Sequence, residues 1–143
     1  MKIKTSELTG PALRYAVAVA SGRFDAWITD PLRPGISIKD VGHDEHNKLV
    51  VYVPKRKGTI CKQEPYAPYE PDTDWAQGGP IIEREWLDLT PWPNESDESL
   101  RWQCAQHDNI DCVFFGPTPL IAAMRCYVAS ELGNEVDVPE ELL

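Results

Sequence analysis

The sequence predicts an α+β fold: a small antiparallel sheet of about five strands, with two main helices near the N- and C-termini and a short central helix packed on one face. Three observations predict it. Helical periodicity or capping signals are confined to residues 9–21, 75–85 and 119–132. Between them lie β-branched or alternating runs joined by short turns. And 13 prolines in 143 residues exclude an all-helical bundle. The length suits a single domain spanning 1–143, with an acidic tail from about residue 134.

The first helix, 9–21, follows from Leu13, Ala16, Val17 and Ala20, which recur at i, i+3, i+4 and i+7 and so share a face. Thr9 or Gly10 caps its start, Pro11 suits its first turn and Gly22 suits a left-handed stop. Residues 24–29 read as a strand closed by Asp30-Pro31, and Ile36 and Ile38 as a weak edge strand. Leu49 to Val53 is the strongest strand, β-branched, aromatic and ended by Pro54. Lys55 to Gly58 reads as an exposed turn, with Thr59 to Cys61 returning as a short strand. Prolines 65, 68 and 71, at every third position, predict an extended polyproline-like path over 64–73.

Asp72 or Asp74 is expected to cap the central helix, Trp75 to Glu85, whose start Gly78-Gly79-Pro80 makes irregular. Trp86 to Thr90 reads as a strand stopped by Pro91-Trp92-Pro93, and 94–98 as an acidic loop. Leu100, Trp102 and Cys104 alternate with polar residues as a half-buried strand does. His107 to Asn109 is its turn, and Cys112 to Phe115 its hairpin partner. The last helix has Thr118 as N-cap, Pro119 at the first position and Gly133 past its end. Leu120, Ala123, Met124, Tyr127 and Val128 form its apolar stripe.

The formal charge of −9 is unevenly spread. Residues 1–62 carry 11 basic and six acidic side chains, a balance of +5; residues 63–143 carry three and 17, a balance of −14. The two halves either offset one another on one surface, or the acidic half docks a basic partner. Such an acidic chain is no general nucleic-acid coat. The basic turn Lys48, Lys55, Arg56, Lys57 and Lys62 is the one place where a phosphate backbone could be met. The N-terminus is polar and no apolar run approaches 18 residues, so a cytoplasmic chain with no membrane partner is expected. Its four cysteines are then reduced thiols.

Candidate sites are few. Cys104 and His107 have a Cys-x2-His spacing with Cys112 beyond, but zinc needs a second close pair, and buried thiols explain the cysteines without a metal. His43 and His46 sit in a polar loop, and Glu70, Asp72 and Asp74 lack the turn glycine of a calcium loop. No cofactor is implied. The most site-like patch is Trp75, Gln77, Gly78, Gly79 and Arg84. There Gln77 and Arg84 could grip a polar group, Trp75 could stack on a ring, and paired glycines would allow close approach. The competing reading has the glycines packing this helix against Ala122 and Ala123. Nothing marks an activated nucleophile, so a non-enzymatic role is favoured.

Three segments carry a family resemblance: Lys2 to Leu13, Tyr69 to Glu85, and Gly116 to Ser130 with Leu132-Gly133 and Val136 to Pro139. They resemble the NinX-type proteins of lambdoid phages and prophages, classed as a domain of unknown function. Asp72 stands where that pattern leads one to expect serine. The resemblance implies an accessory gene of a temperate phage, near replication and recombination genes, and implies no catalytic residues. The expected role is an accessory protein that binds a host or phage protein. Two alternatives stand beside it. One is a nucleic-acid-associated protein using the basic turn 48–62; the other is a small-molecule-binding or metal-dependent enzyme at the 75–84 patch.

Overall fold

The computed structural model of the chain describes residues 1–22, 41–43, 48–54, 63–92 and 96–143, with the backbone alone at 41–43, 51–54, 63–67 and 110–111. In chain order the elements are β1 (Lys2–Lys4), α1 (Gly10–Ala20), β2 (Val41–His43), β3 (Leu49–Pro54), β4 (Gln63–Pro68) and α2 (Trp75–Glu85). Then follow β5 (Leu87–Pro91), β6 (Trp102–Gln106), β7 (Asn109–Gly116), α3 (Pro119–Leu132) and β8 (Glu135–Asp137). The fold is α+β, as the sequence predicts. The chain divides into two compact units, one of Met1–Ala20 with Glu70–Leu143, the other of Ser21–Tyr69.

The core of the first unit is built around α3. Thr118 Oγ1 accepts the Ile121 N–H at 3.2 Å, Pro119 occupies the first turn, and Gly133 ends the helix at φ +91°. The predicted stripe is buried, and so are Ala122, Arg125 and Cys126, so burial extends nearly all the way round. The reason is position: α3 has the antiparallel sheet β5-β6-β7 beside it, and also packs on α1 and α2. A side chain at Gly116 would come within 2.7 Å of the Ala122 backbone nitrogen, so the end of β7 can lie against α3 only as glycine. Arg125 Nε donates to the Leu8 carbonyl at 2.9 Å and Nη1 to the Phe115 carbonyl at 2.7 Å. One buried guanidinium thus joins the segment before α1 to the end of β7, and burial lowers its pKa. On α1, Leu13, Ala16 and Val17 are buried as the spacing requires, with Ala12 and Ala18 beside them.

In the second unit β2, β3 and β4 form an antiparallel sheet in that order. Of the segment 64–73 expected to follow a polyproline-like path, 64–68 is extended but hydrogen-bonded, as β4 paired with β3 with a register shift between Val51 and Tyr52. Residues 71–73 turn instead, the Thr73 and Asp74 N–H groups both donating to the Glu70 carbonyl. Pro65 and Pro68 are tolerated because β4 lies at an edge, where half the N–H groups need no partner. His43, expected in a loop, ends β2.

Other features also differ from the sequence expectation. The described strands number eight and form three antiparallel sheets, in place of one sheet of about five. The third is β1 with β8, pairing Lys2 with Asp137 and Lys4 with Glu135, so part of the acidic segment after 134 is folded in. Strands of three residues at opposite ends of the chain leave no local pattern to read. Leu100 lies in a short 3-10 turn, Glu98–Leu100, capped by Asp97, so the strand starts only at Trp102. The strands expected at 24–29, 36–38 and 59–61 lie outside the described residues.

Candidate functional site

Helix α2 shows what becomes of the predicted patch. Asp74 is its N-cap, its carboxylate accepting the Ala76 N–H at 2.9 Å. Asp72, the other predicted cap, is instead 3% exposed and paired with Arg14. Trp75 and Arg84 are nine residues apart, about two and a half turns, which puts them on opposite sides and ~13.5 Å apart along the axis. Gln77 Oε1 accepts the Glu70 N–H at 2.7 Å, which fixes the turn leading into the helix. Arg84 lies over the Tyr127 ring, 5.9 Å from its centroid, and its Nε donates to Glu85 at 3.0 Å, which raises its pKa. The helix therefore does not gather Trp75, Gln77 and Arg84 into one cleft.

The glycines divide the two readings. A Cβ on Gly78 would collide with the Pro71 carbonyl and come within 2.7 Å of Leu120 Cδ2, so Gly78 is a packing residue against α3, at Leu120 and not at Ala122 or Ala123. Gly79 has open space around it and precedes Pro80, where a Cβ would crowd the proline ring.

The predicted thiol pair is separated too. Cys104 is fully buried on β6, and His107 stands exposed at the hairpin end, 3.6 Å from Asp88. Cys104 instead neighbours Cys126 of α3, whose Sγ also lies 3.7 Å from the Cys112 carbonyl. Burial, with Cys126 nearby, raises the Cys112 thiol to about 11, and Cys126 is raised as well, so both are protonated and unreactive near neutrality. Among the described residues no group of three or more His, Cys, Asp or Glu is arranged to hold a metal. Of the basic turn, Lys48 is exposed, while Lys55, Arg56, Lys57 and Lys62 lie outside the described residues. No helix among the described residues is long and apolar enough to cross a membrane.

The structure exposes a surface the sequence reading left out. Cys104 faces α3, so its register partners Leu89 and Phe114 face the same way. Asp88, Thr90, Gln103, Ala105, Val113 and Phe115 alternate to the other face of the sheet. Two tryptophans flank β5 on that outer face. Trp92 meets Phe115 edge-on at 5.8 Å and is 46% exposed. Trp86 meets the His107 ring at 5.9 Å and is 70% exposed. Trp86 is also the C-cap of α2 at φ +53°, a left-handed backbone that costs a residue with a side chain about 1–2 kcal/mol. The available signal was the Trp-strand-Trp spacing with five tryptophans in the chain, read only as strand ends.

The family model described as Bacteriophage P22, NinX, matches residues 4–131, most of the chain. No match is found among curated proteins.

Proposed function

The chain belongs to the phage NinX family, and from that premise we propose that it acts by binding a protein of the host or the phage through the outer face of β5-β6-β7. The observation that carries this reading is Trp86. A large aromatic ring is held mostly in water, on a backbone that would be less strained as glycine. A residue costly on both counts is favoured where another molecule covers it. Tryptophan is among the commonest anchors of protein interfaces.

The chemistry of the partner follows from the same surface. Trp92 comes six positions after Trp86, across the five residues of β5, so in extended chain the two anchors lie ~20 Å apart. The unit that carries them has six basic and 17 acidic side chains, a balance of −11. The partner therefore presents an apolar cleft for the rings and a basic rim, and salt weakens the complex. The proposed setting is the bacterial host cytoplasm, in an accessory role for a temperate phage.

The test starts with capture from host lysate at low salt, then titrates the purified partner against wild type and the Trp86→Ala/Trp92→Ala double variant. Loss of two anchors is expected to weaken binding about 100-fold or more. Absence of a saturable partner, or a partner that binds the double variant equally well, overturns the reading.

A further inference from the structure

A cleft of about 460 Å³ opens between the end of the β6–β7 hairpin and the C-terminal turn of α3. Gln106, Asn109 and Asn134 bring three carboxamides to it, Ser130 a hydroxyl and Cys112 a thiol, with Phe114 among the apolar lining. Among the residues whose side chains are described, no Lys, Arg, Asp or Glu lines it. We infer that this cleft is a binding site for an uncharged nucleoside, held through the edge of its base.

The walls are set by the fold. The ladder shifts register between Ala105 and Gln106, so that Gln106 pairs with Asn109 and the two carboxamides are brought to one end of the hairpin. Irregularities of this kind re-aim side chains beside functional sites. Thr5, fully buried, fixes the opposite wall: its Oγ1 donates to the Gly133 carbonyl at 2.7 Å and its N–H to the Asn134 carbonyl at 2.8 Å. The Asn134 side chain is thus carried on a fixed backbone. The side-chain amides of Gln106 and Asn134 make no hydrogen bond to a described residue, and so keep donor and acceptor for a ligand.

The ligand class follows from those groups. A carboxamide presents an N–H and a carbonyl side by side, the complement of the donor–acceptor edge of a nucleobase. The volume lies in the range of small-molecule sites. Ser130 Oγ donates to the Tyr127 carbonyl at 2.7 Å, so toward the cleft it can accept. A phosphate is disfavoured. The cleft lies at the negative end of the α3 dipole, and Glu131 and Glu135 are exposed next to Ser130 and Asn134.

The test is thermal denaturation of the full chain with adenosine, guanosine, cytidine and uridine, each beside its 5′-monophosphate. At about tenfold excess over its Kd a bound nucleoside is expected to raise Tm by about 3–6 °C. The monophosphate is expected to give less than half that shift. Gln106→Leu and the exposed Asn134→Leu should each reduce the nucleoside shift, and Asn134→Leu should do so with the unliganded Tm unchanged. A flat response to all four nucleosides, a monophosphate that binds as well as its nucleoside, or an Asn134→Leu variant that binds like wild type each overturns the proposal.

Discussion

Arg14 Nε donates to Asp72 Oδ1 at 2.7 Å, tying the middle of α1 to the turn that precedes α2. Asp72 is almost fully buried, while Arg14 keeps 23% of its side chain in water and also reaches Glu70 at 3.6 Å. Removing one partner of a buried pair strands the other, which costs more than the pair itself contributes. Asp72→Ala is therefore expected to lower stability by about 2–4 kcal/mol, a Tm drop of about 5–12 °C. Glu70→Gln, at a 42% exposed side chain with a longer contact, should cost less than about 1 kcal/mol. Calorimetry of the two variants checks the order, and equal losses would refute the assignment.

The adjacent glycines of α2 should respond oppositely. Gly78→Ala drives a methyl into the Pro71 carbonyl and Leu120, and a backbone carbonyl cannot rotate away as a side chain can. The expected loss is about 2–3 kcal/mol, at the upper end for overpacking. Gly79→Ala meets no neighbour; its gain in helix propensity and its crowding of Pro80 oppose each other, so a change within about 1 kcal/mol is expected. Urea titrations of both variants measure the difference directly.

What could be read beforehand was what is local. α1 and α3 announce themselves by spacing and caps, and β5, β6 and β7 by alternation and turns. The β1–β8 pair could not be seen, because its register joins Ile3 to Val136 and neither strand is long enough to show a period. Arg125 lies outside the apolar stripe the sequence predicts for α3, and nothing local says that its guanidinium turns inward to the Leu8 and Phe115 carbonyls. The 75–84 patch rests on residue type alone. The 100° step of a helix then set Trp75 and Arg84 on opposite sides, and packing claimed Gly78. Trp86 was readable as a strand residue, but not as a left-handed cap, since that conformation is imposed where α2 turns directly into β5.

Stability should fall in base through the thiols. Cys112 has its pKa raised from 9.0 to about 11 by burial and by neighbouring Cys126. Its contribution is fully present below pH 9, where folded and unfolded chains both hold the proton. Between about pH 9 and 11 only the unfolded chain releases it, so stability is lost at up to about 1.4 kcal/mol per pH unit for each such proton. Cys126, also raised, acts with the same sign. Cys112→Ser cannot titrate there, so its stability should fall less steeply than wild type between pH 9 and 10.5. Parallel slopes in denaturant titrations would rule out the shift.

Trp86 separates binding from folding most cleanly. At φ +53° any residue with a Cβ is strained, and glycine is not. The indole is 70% exposed, with the His107 ring its one aromatic neighbour among the described residues, so little packing is lost when it is removed. Glycine also frees the unfolded chain, which offsets part of the relieved strain. Trp86→Gly is accordingly expected to leave Tm unchanged or raised by a few degrees, about 1 kcal/mol at most, although a large aromatic side chain is deleted. The same variant should lose partner affinity by about tenfold or more, as removal of an interface anchor does. A fall in Tm of many degrees would mean that the ring packs as part of the fold, and the outer face would then lose its strongest anchor.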